Sequence, residues 1–256
     1  MELLLKIIFI VTVTMVRYFL ITFLVFFIFY KHFKKHFKKS KIQLKEAQRK
    51  DFFNEVKHSA ISLLVFALLG AIVLSEPTKH FTRFYTENKY PEWWTGVAVF
   101  IALIIHDTYF YWMHRTVHHQ KIFRFVHLVH HKSTNPSPFT AYSFHVLEAI
   151  LEAMILPIVL FLIPMNIKAV VLFTLIGFFI NIYGHLGFEI MPKWFRKSFL
   201  FGIVNTSVYH NMHHSKFKGN YGLYFRFWDR LMKTENPDYI STYDKIQRER
   251  FVNSIE

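Results

Sequence analysis

The chain has 256 residues, 53% of them hydrophobic, with apolar runs too long for an ordinary soluble domain. It has no cysteine, which excludes disulfides, Cys-ligated zinc and Cys-ligated iron–sulfur clusters. In a soluble protein the formal charge of +14 would suggest nucleic acid. Here the basic residues flank apolar runs, the pattern of cytoplasmic membrane flanks, so no nucleic-acid partner is expected.

Residues 7–30 form the first expected span, with Arg17 near its middle. An arginine there costs about 3 kcal/mol on insertion scales, so it should snorkel or pair with a carboxylate. The run is too long for a cleavable signal peptide, and no small-residue cleavage site follows. The flank KHFKKHFKKSKIQLK comes next and places this end in the cytoplasm. His32 and His36 stand four apart, but the surrounding lysines repel a cation, and both are read as solvated interface residues. A shorter span over residues 59–75 returns the chain to the far side, where the loop 76–92 balances three basic residues against three glutamates.

The third span, residues 93–113, opens on a Trp-Trp pair suited to a membrane interface and turns polar at His106 and Asp107. His106 lies two turns, about 12 Å, before His114 and is left out of any metal shell. The segment 131–145 is rich in Ser, Thr, Asn and Pro and reads as a loop. Two apolar helices follow over 146–164 and 168–183, the first kinked at Pro157 and carrying Glu148 and Glu152. From His185 onward there is no span. By parity of crossings, residues 31–58 and all the histidine clusters below face the cytoplasm.

Six histidines fall within residues 114–131, HRTVHHQKIFRFVHLVHH, and the pattern returns as HNMHH at 210–214. His114 and His118 are four apart, as are His127 and His131, and His210 and His214; on a helix each pair shares a face. His130 and His213 stand three after the first histidine of their boxes. Single histidines at His145 and His185 lie between the clusters. Neutral imidazole is the commonest protein ligand for transition metals, and three boxes at helical spacing point to a polyhistidine metal site. The competing reading, unrelated surface or core histidines, leaves that recurrence unexplained. His119 points about 100° away from His118 and is read as structural.

Eight box histidines are too many for one metal, and two metals with four or five imidazoles each fit better. HExxH is absent, so a zinc peptidase is excluded; imidazole also suits iron and copper. Neutral ligands leave the metal charge uncompensated, so carboxylates should hold the imidazole N–H groups, and Asp107, Glu148, Glu189 and Asp229 are the candidates. The expected fold is all-α: a membrane-embedded bundle of four or five long apolar helices with a cytoplasmic histidine-rich cap and an apolar slot beneath the metals.

The boxes His114-Arg115-x-x-His118, His127-x-x-His130-His131 and His210-x-x-His213-His214 resemble those of the fatty acid hydroxylase superfamily, in its sterol desaturase-like branch. Asp107, Tyr111-Trp112, Ser143-x-His145-x-x-Glu148, Gly184-His185-x-Gly187-x-Glu189, Asn220-Tyr221-Gly222 and Trp228-Asp229 extend the match. Val146, where the branch often has proline, and Leu231-Met232-Lys233 depart from it. The resemblance implies a catalytic domain over residues 93–234, preceded by membrane spans and a basic loop (1–92) and followed by a charged tail (235–256).

It further implies a non-haem di-iron oxygenase that uses O₂ to hydroxylate or desaturate a lipid, sterol or fatty acyl, at an unactivated C–H bond. The eight box histidines would be ligands, with His145 and His185 as further ones. The chain has no GxGxxG and no cysteine for a cluster. Electrons are therefore expected from a separate carrier, cytochrome b5-like or a ferredoxin with its reductase. A histidine-rich metal transporter is the alternative, but it would need ligands spread through the spans. The bacterial inner membrane is the favoured location and the endoplasmic reticulum the other.

Overall fold

The computed structural model describes residues 2–45, 47–87 and 89–251. Residue 88 of the loop at 76–92 and the last five residues of the tail lie outside them. Among the described residues the chain is helical throughout, with three isolated bridges and no strand. Four helices are long and apolar enough to cross a membrane: Ile7–His32, Arg49–Val73, Glu92–Val117 and Ile167–Gly184.

The first comprises α1 (Glu2–Phe26) and a wider helical turn over Phe27–His32. Phe9, Val13, Val16, Leu20 and Phe23 stay exposed on α1, as a helix bathed in lipid requires. Helix α2 (Arg49–Val73) begins ten residues before the expected span. A capping box of Gln48 and Asp51 starts it in polar sequence, and its first turns leave the apolar layer to bury Glu55 against Ser137. After a short α3 (Glu76–Lys79), α4 (Glu92–Val117) runs back and ends at His118. Two short helices, α5 (Gln120–Val126) and α6 (Leu128–His131), carry the second box, and the loop beyond folds into a 3-10 turn over Pro138–Tyr142.

The apolar segment after His145 is two eight-residue helices, α7 (Val146–Ala153) and α8 (Ile155–Leu162), rather than one kinked helix. Pro157 has no N–H for the carbonyl of Ala153, and its ring crowds that carbonyl, so the helix breaks there and not at the proline itself. The pair still traverses the bundle. Trp94 Nε1 donates to Pro164 O (2.9 Å) and Met165 bridges Phe84, so this turn meets the start of α4 at the end far from the histidines. Helix α9 (Ile167–Gly184), capped by Asn166, returns. The chain closes with α10 (Ser207–Lys216), α11 (Phe227–Leu231) and α12 (Tyr239–Phe251). In the segment expected as a charged tail, Tyr239, Tyr243 and Ile246 of α12 are buried against Phe201, Tyr209 and Met212.

Candidate metal centre

Nine histidines converge at one end of the bundle in two groups. His114, His118, His127, His131 and His213 form one, and His130, His185, His210 and His214 the other. Within each group the ligating atoms all lie within 4.8 Å of one another. The three i, i+4 pairs keep to one group each: 114/118 and 127/131 in the first, 210/214 in the second. The i+3 histidine of the second and third boxes crosses to the other group, because consecutive helical residues point about 100° apart. The groups adjoin, with the ring centroids of His131 and His214 4.9 Å apart.

Four of the nine outer nitrogens are held by backbone carbonyls, while those of His131 and His214 are buried without a partner. His114 Nδ1 bonds Tyr221 O (2.9 Å), His213 Nδ1 bonds Gly219 O (2.7 Å), His185 Nδ1 bonds Asn181 O (2.8 Å) and His130 Nδ1 bonds Ser143 O (3.3 Å). A carbonyl only accepts, so each Nδ1 carries the proton and each Nε2 presents a lone pair inward. His127 Nδ1 likewise bonds Glu148 Oε1 (2.6 Å). Yet His114 Nε2 faces His127 Nε2 at 3.1 Å, and His130 Nε2 faces His185 Nε2 at 3.3 Å. Two lone pairs at such distances repel unless a cation lies between them. With metal–nitrogen bonds of about 2.0–2.1 Å, neighbouring ligands stand roughly 2.9–3.4 Å apart. The other Nε2 pairs, His131 with His213 (3.0 Å) and His210 with His185 (3.0 Å), fall in that range. The donor set therefore fits two metal ions, one per group.

Burial keeps these rings neutral. It depresses His213 and His185 to about 4, and holds His127, His130, His131, His210 and His214 well below the usual histidine range, with neighbouring imidazoles adding to the effect. Neutral imidazole is the form that ligates.

The structure brings together nine of the ten histidines singled out in the sequence. His145 stands apart: its ring caps α7, with Nδ1 accepting from Leu147 N at 3.3 Å, and it joins neither group. His119 does the same for α5. His106 sits below the groups, with Nδ1 on Tyr224 Oη (2.8 Å). Of the carboxylates, only Glu148 meets an imidazole. Asp107 accepts from the backbone N–H of Tyr224 (2.8 Å) and Phe225 (3.1 Å), and Glu189 from Tyr183 Oη and Met191 N (both 2.9 Å). Neither hydrogen-bonds a histidine among the described residues. Asp229 acts at one remove, accepting from Tyr221 N (3.0 Å) and Gly222 N (2.7 Å) and so fixing the carbonyl that holds His114.

The sequence reading missed the carbonyls of Ser143, Asn181, Gly219 and Tyr221. The one sequence signal nearby is Gly219, whose φ of +78° and whose added Cβ, 2.5 Å from Thr234 O, admit only glycine.

Beneath the groups lies a cavity of about 350 Å³ between α1, α2, α4 and α7–α9, mostly apolar and lined near the histidines by Phe110, Tyr142, Asn181 and Leu223. The fold and site define a helical bundle with membrane-length helices, two buried polyhistidine groups able to hold metal at one end, and a mostly apolar cavity beneath them. The model of the fatty acid hydroxylase family matches residues 99–234, and the chain belongs to that family.

Similar proteins include a Delta(7)-sterol 5(6)-desaturase of Gibberella zeae, 28% identical over 74% of this chain and 55% of its own. A lathosterol oxidase of Rattus norvegicus is 30% identical over 59% and 50%. A very-long-chain aldehyde decarbonylase of Oryza sativa subsp. japonica is 29% identical over 60% and 26%. The chain thus spans about half the length of these sterol enzymes and about a quarter of the decarbonylase. No solved structure matches it.

Proposed function

We propose that the chain is an O₂-dependent non-haem di-iron oxygenase that hydroxylates or desaturates a membrane lipid, sterol or fatty acyl, at an unactivated C–H bond. The observation that carries this reading is the convergence of inward Nε2 lone pairs in two adjoining groups, directly above an apolar cavity. Imidazole accepts iron, zinc or copper, but zinc does no redox chemistry, and the sterol relatives are named a desaturase and an oxidase. Iron bound there would supply O₂ activation and hydrogen abstraction. His114, His118, His127, His131 and His213 would hold one ion, and His130, His185, His210 and His214 the other. Glu148 would set the tautomer of His127 and offset part of the metal charge.

Residues 93–234 are the catalytic unit in this reading, and residues 1–92 supply two walls of the lipid cavity. The boxes face the cytoplasm of a multi-pass protein, in the bacterial inner membrane or alternatively the endoplasmic reticulum. The basic segment at 31–45 lies on the same side, suited to an acidic carrier such as a cytochrome b5-like protein or a ferredoxin. The test joins two measurements. Iron-replete preparations should hold about two irons per chain, and cells with the protein should gain lipids carrying one more oxygen or two fewer hydrogens. Preparations free of iron, together with unchanged lipids, would overturn the reading.

A further inference from the structure

The region after α9 contains no span, yet part of its surface is as apolar as the spans. Phe199, Leu200, Ile203, Phe227 and Leu231 are all exposed, Phe199 at 77% and Phe227 at 61%. Two bonds hold their segments side by side: Arg226 N donates to Ile203 O (2.8 Å) and Arg230 Nη1 to Gly202 O (2.8 Å). α11 thus lies against the 3-10 turn over Phe199–Gly202. Phe227 and Leu231, four apart, share one face of α11.

This patch continues the outer surface of α4. Trp93, Val97, Phe100 and Ile104 are exposed at helical spacing along that helix. Thr108, four residues past Ile104, extends the stripe, and there α11 docks. Trp228 Nε1 donates to Thr108 Oγ1 (3.1 Å), and its ring meets Trp112 edge-on at 5.6 Å. Counted from the interfacial Trp93, Thr108 lies fifteen residues, about 22 Å, along α4, short of the roughly 30 Å of a hydrocarbon layer. α11 therefore sits at bilayer depth without crossing the bilayer.

The rim of the patch is cationic. Residues 190–234 hold one acidic side chain, Asp229, and it is buried on the backbone of Tyr221 and Gly222. Lys193, Lys197, Arg230 and Lys233 are exposed. Exposed apolar groups with a basic, acid-free rim suit a surface lying in an anionic membrane interface. A second copy packed on the same face would oppose its own basic rim. We propose that the Phe199–Gly202 turn, Ile203 and α11 enter the lipid leaflet nearest the histidine groups. Their five exposed apolar side chains would lie among the acyl chains, with Lys193, Lys197 and Arg230 on anionic phospholipid headgroups. The proposal concerns this surface alone and is independent of the oxygenase reading.

The experiment uses the full chain in vesicles of phosphatidylcholine and phosphatidylglycerol. Because the chain has no cysteine, Phe199→Cys and Leu231→Cys each take one environment-sensitive fluorophore. Phe100→Cys on α4 and Ser215→Cys, both exposed positions, serve as lipid and water references. The labels at 199 and 231 should be quenched by a lipid with a nitroxide on its acyl chain and protected from aqueous iodide, as at 100 and opposite to 215. Iodide quenching equal to that at 215 overturns the proposal. Shielding from both quenchers overturns it in favour of a protein contact. Native mass spectrometry of the unaltered protein reads the headgroup, and bound phosphatidylglycerol should exceed phosphatidylcholine. That preference should fall about fivefold for each of Lys193→Gln and Lys197→Gln. No preference in the unaltered protein, or one unchanged in both variants, overturns the headgroup assignment.

Discussion

His130 and His131 are neighbours in the chain, yet their rings serve different groups, His130 meeting His185 at 3.3 Å and His131 meeting His213 at 3.0 Å. His213 and His214 divide in the same way. Each His-His pair thus divides its rings between the two histidine groups. Removing one ring should damage one position first. His130→Ala or His214→Ala leaves three imidazoles in its group, whereas His131→Ala or His213→Ala leaves four. All four variants should lose lipid turnover. Bound iron should fall further in the first two, toward one ion per chain as counted by elemental analysis. Equal iron in all four would contradict the division.

His145 and His119 make the contrasting pair, since both cap helices and neither faces a group. Alanine at either position should leave bound iron and turnover near the unaltered level. It should lower stability by about 0.5–1 kcal/mol, the lower part of the range for lost N-caps. Loss of iron in His145→Ala, measured alongside its melting temperature, would show that the ring reaches a metal after all.

The box geometry was legible in the sequence because helical periodicity fixes which residues share a face, and the i, i+4 pairs indeed stay together. His145 was expected as a ligand from the family resemblance alone, and its cap on α7 was not legible because a cap depends on where a helix begins. The acceptors for His114, His130, His185 and His213 were invisible for a different reason: they are backbone carbonyls, which every residue possesses. The early start of α2 was hidden because Arg49 to His58 is polar, and only its burial of Glu55 against a distant Ser137 explains the helix there.

Glu148 and Asp229 should fail differently. Glu148 contacts His127 directly, so Glu148→Leu leaves a buried N–H unpaired and should cost about 10- to 100-fold in iron affinity or turnover. Asp229 accepts two backbone N–H groups and the hydroxyl of Thr234 (2.6 Å). Asp229→Asn should cost about 1–3 kcal/mol of stability, with a smaller loss of iron per folded chain. Comparing melting temperature with iron content in the two variants separates ring orientation from loop support.

The histidine groups and the loop at 83–85 lie at opposite ends of the bundle. In a cysteine-free chain, single cysteines report sidedness cleanly. Ser215 and Thr86 are both exposed. In intact cells, Thr86→Cys should react with an impermeant maleimide and Ser215→Cys only after lysis. The reverse pattern would invert the orientation read from the basic flank.

Gly177, which lines the cavity, packs tightly against Tyr224. A Cβ on Gly177 would lie 2.7 Å from Tyr224 Oη, the hydroxyl that meets His106 Nδ1. Tyr224 is buried and its backbone is pinned by Asp107, so the ring has little room to retreat. Gly177→Ala should therefore destabilise the protein by about 1–3 kcal/mol, as overpacked cores do. Tyr224→Phe removes the clashing oxygen and leaves its ring carbon 3.9 Å from the new methyl, an ordinary contact. That variant alone should lose about 0.5–1.5 kcal/mol with the hydrogen bond to His106. Combining the two should recover most of the glycine variant's loss, giving a coupling energy of about 1 kcal/mol or more, whereas independent sites would add. The measurement is a double-mutant cycle on thermal stability in one detergent. Simple additivity would mean that the ring moves aside, and that the packing of Tyr224 on Gly177 is softer than the distances imply.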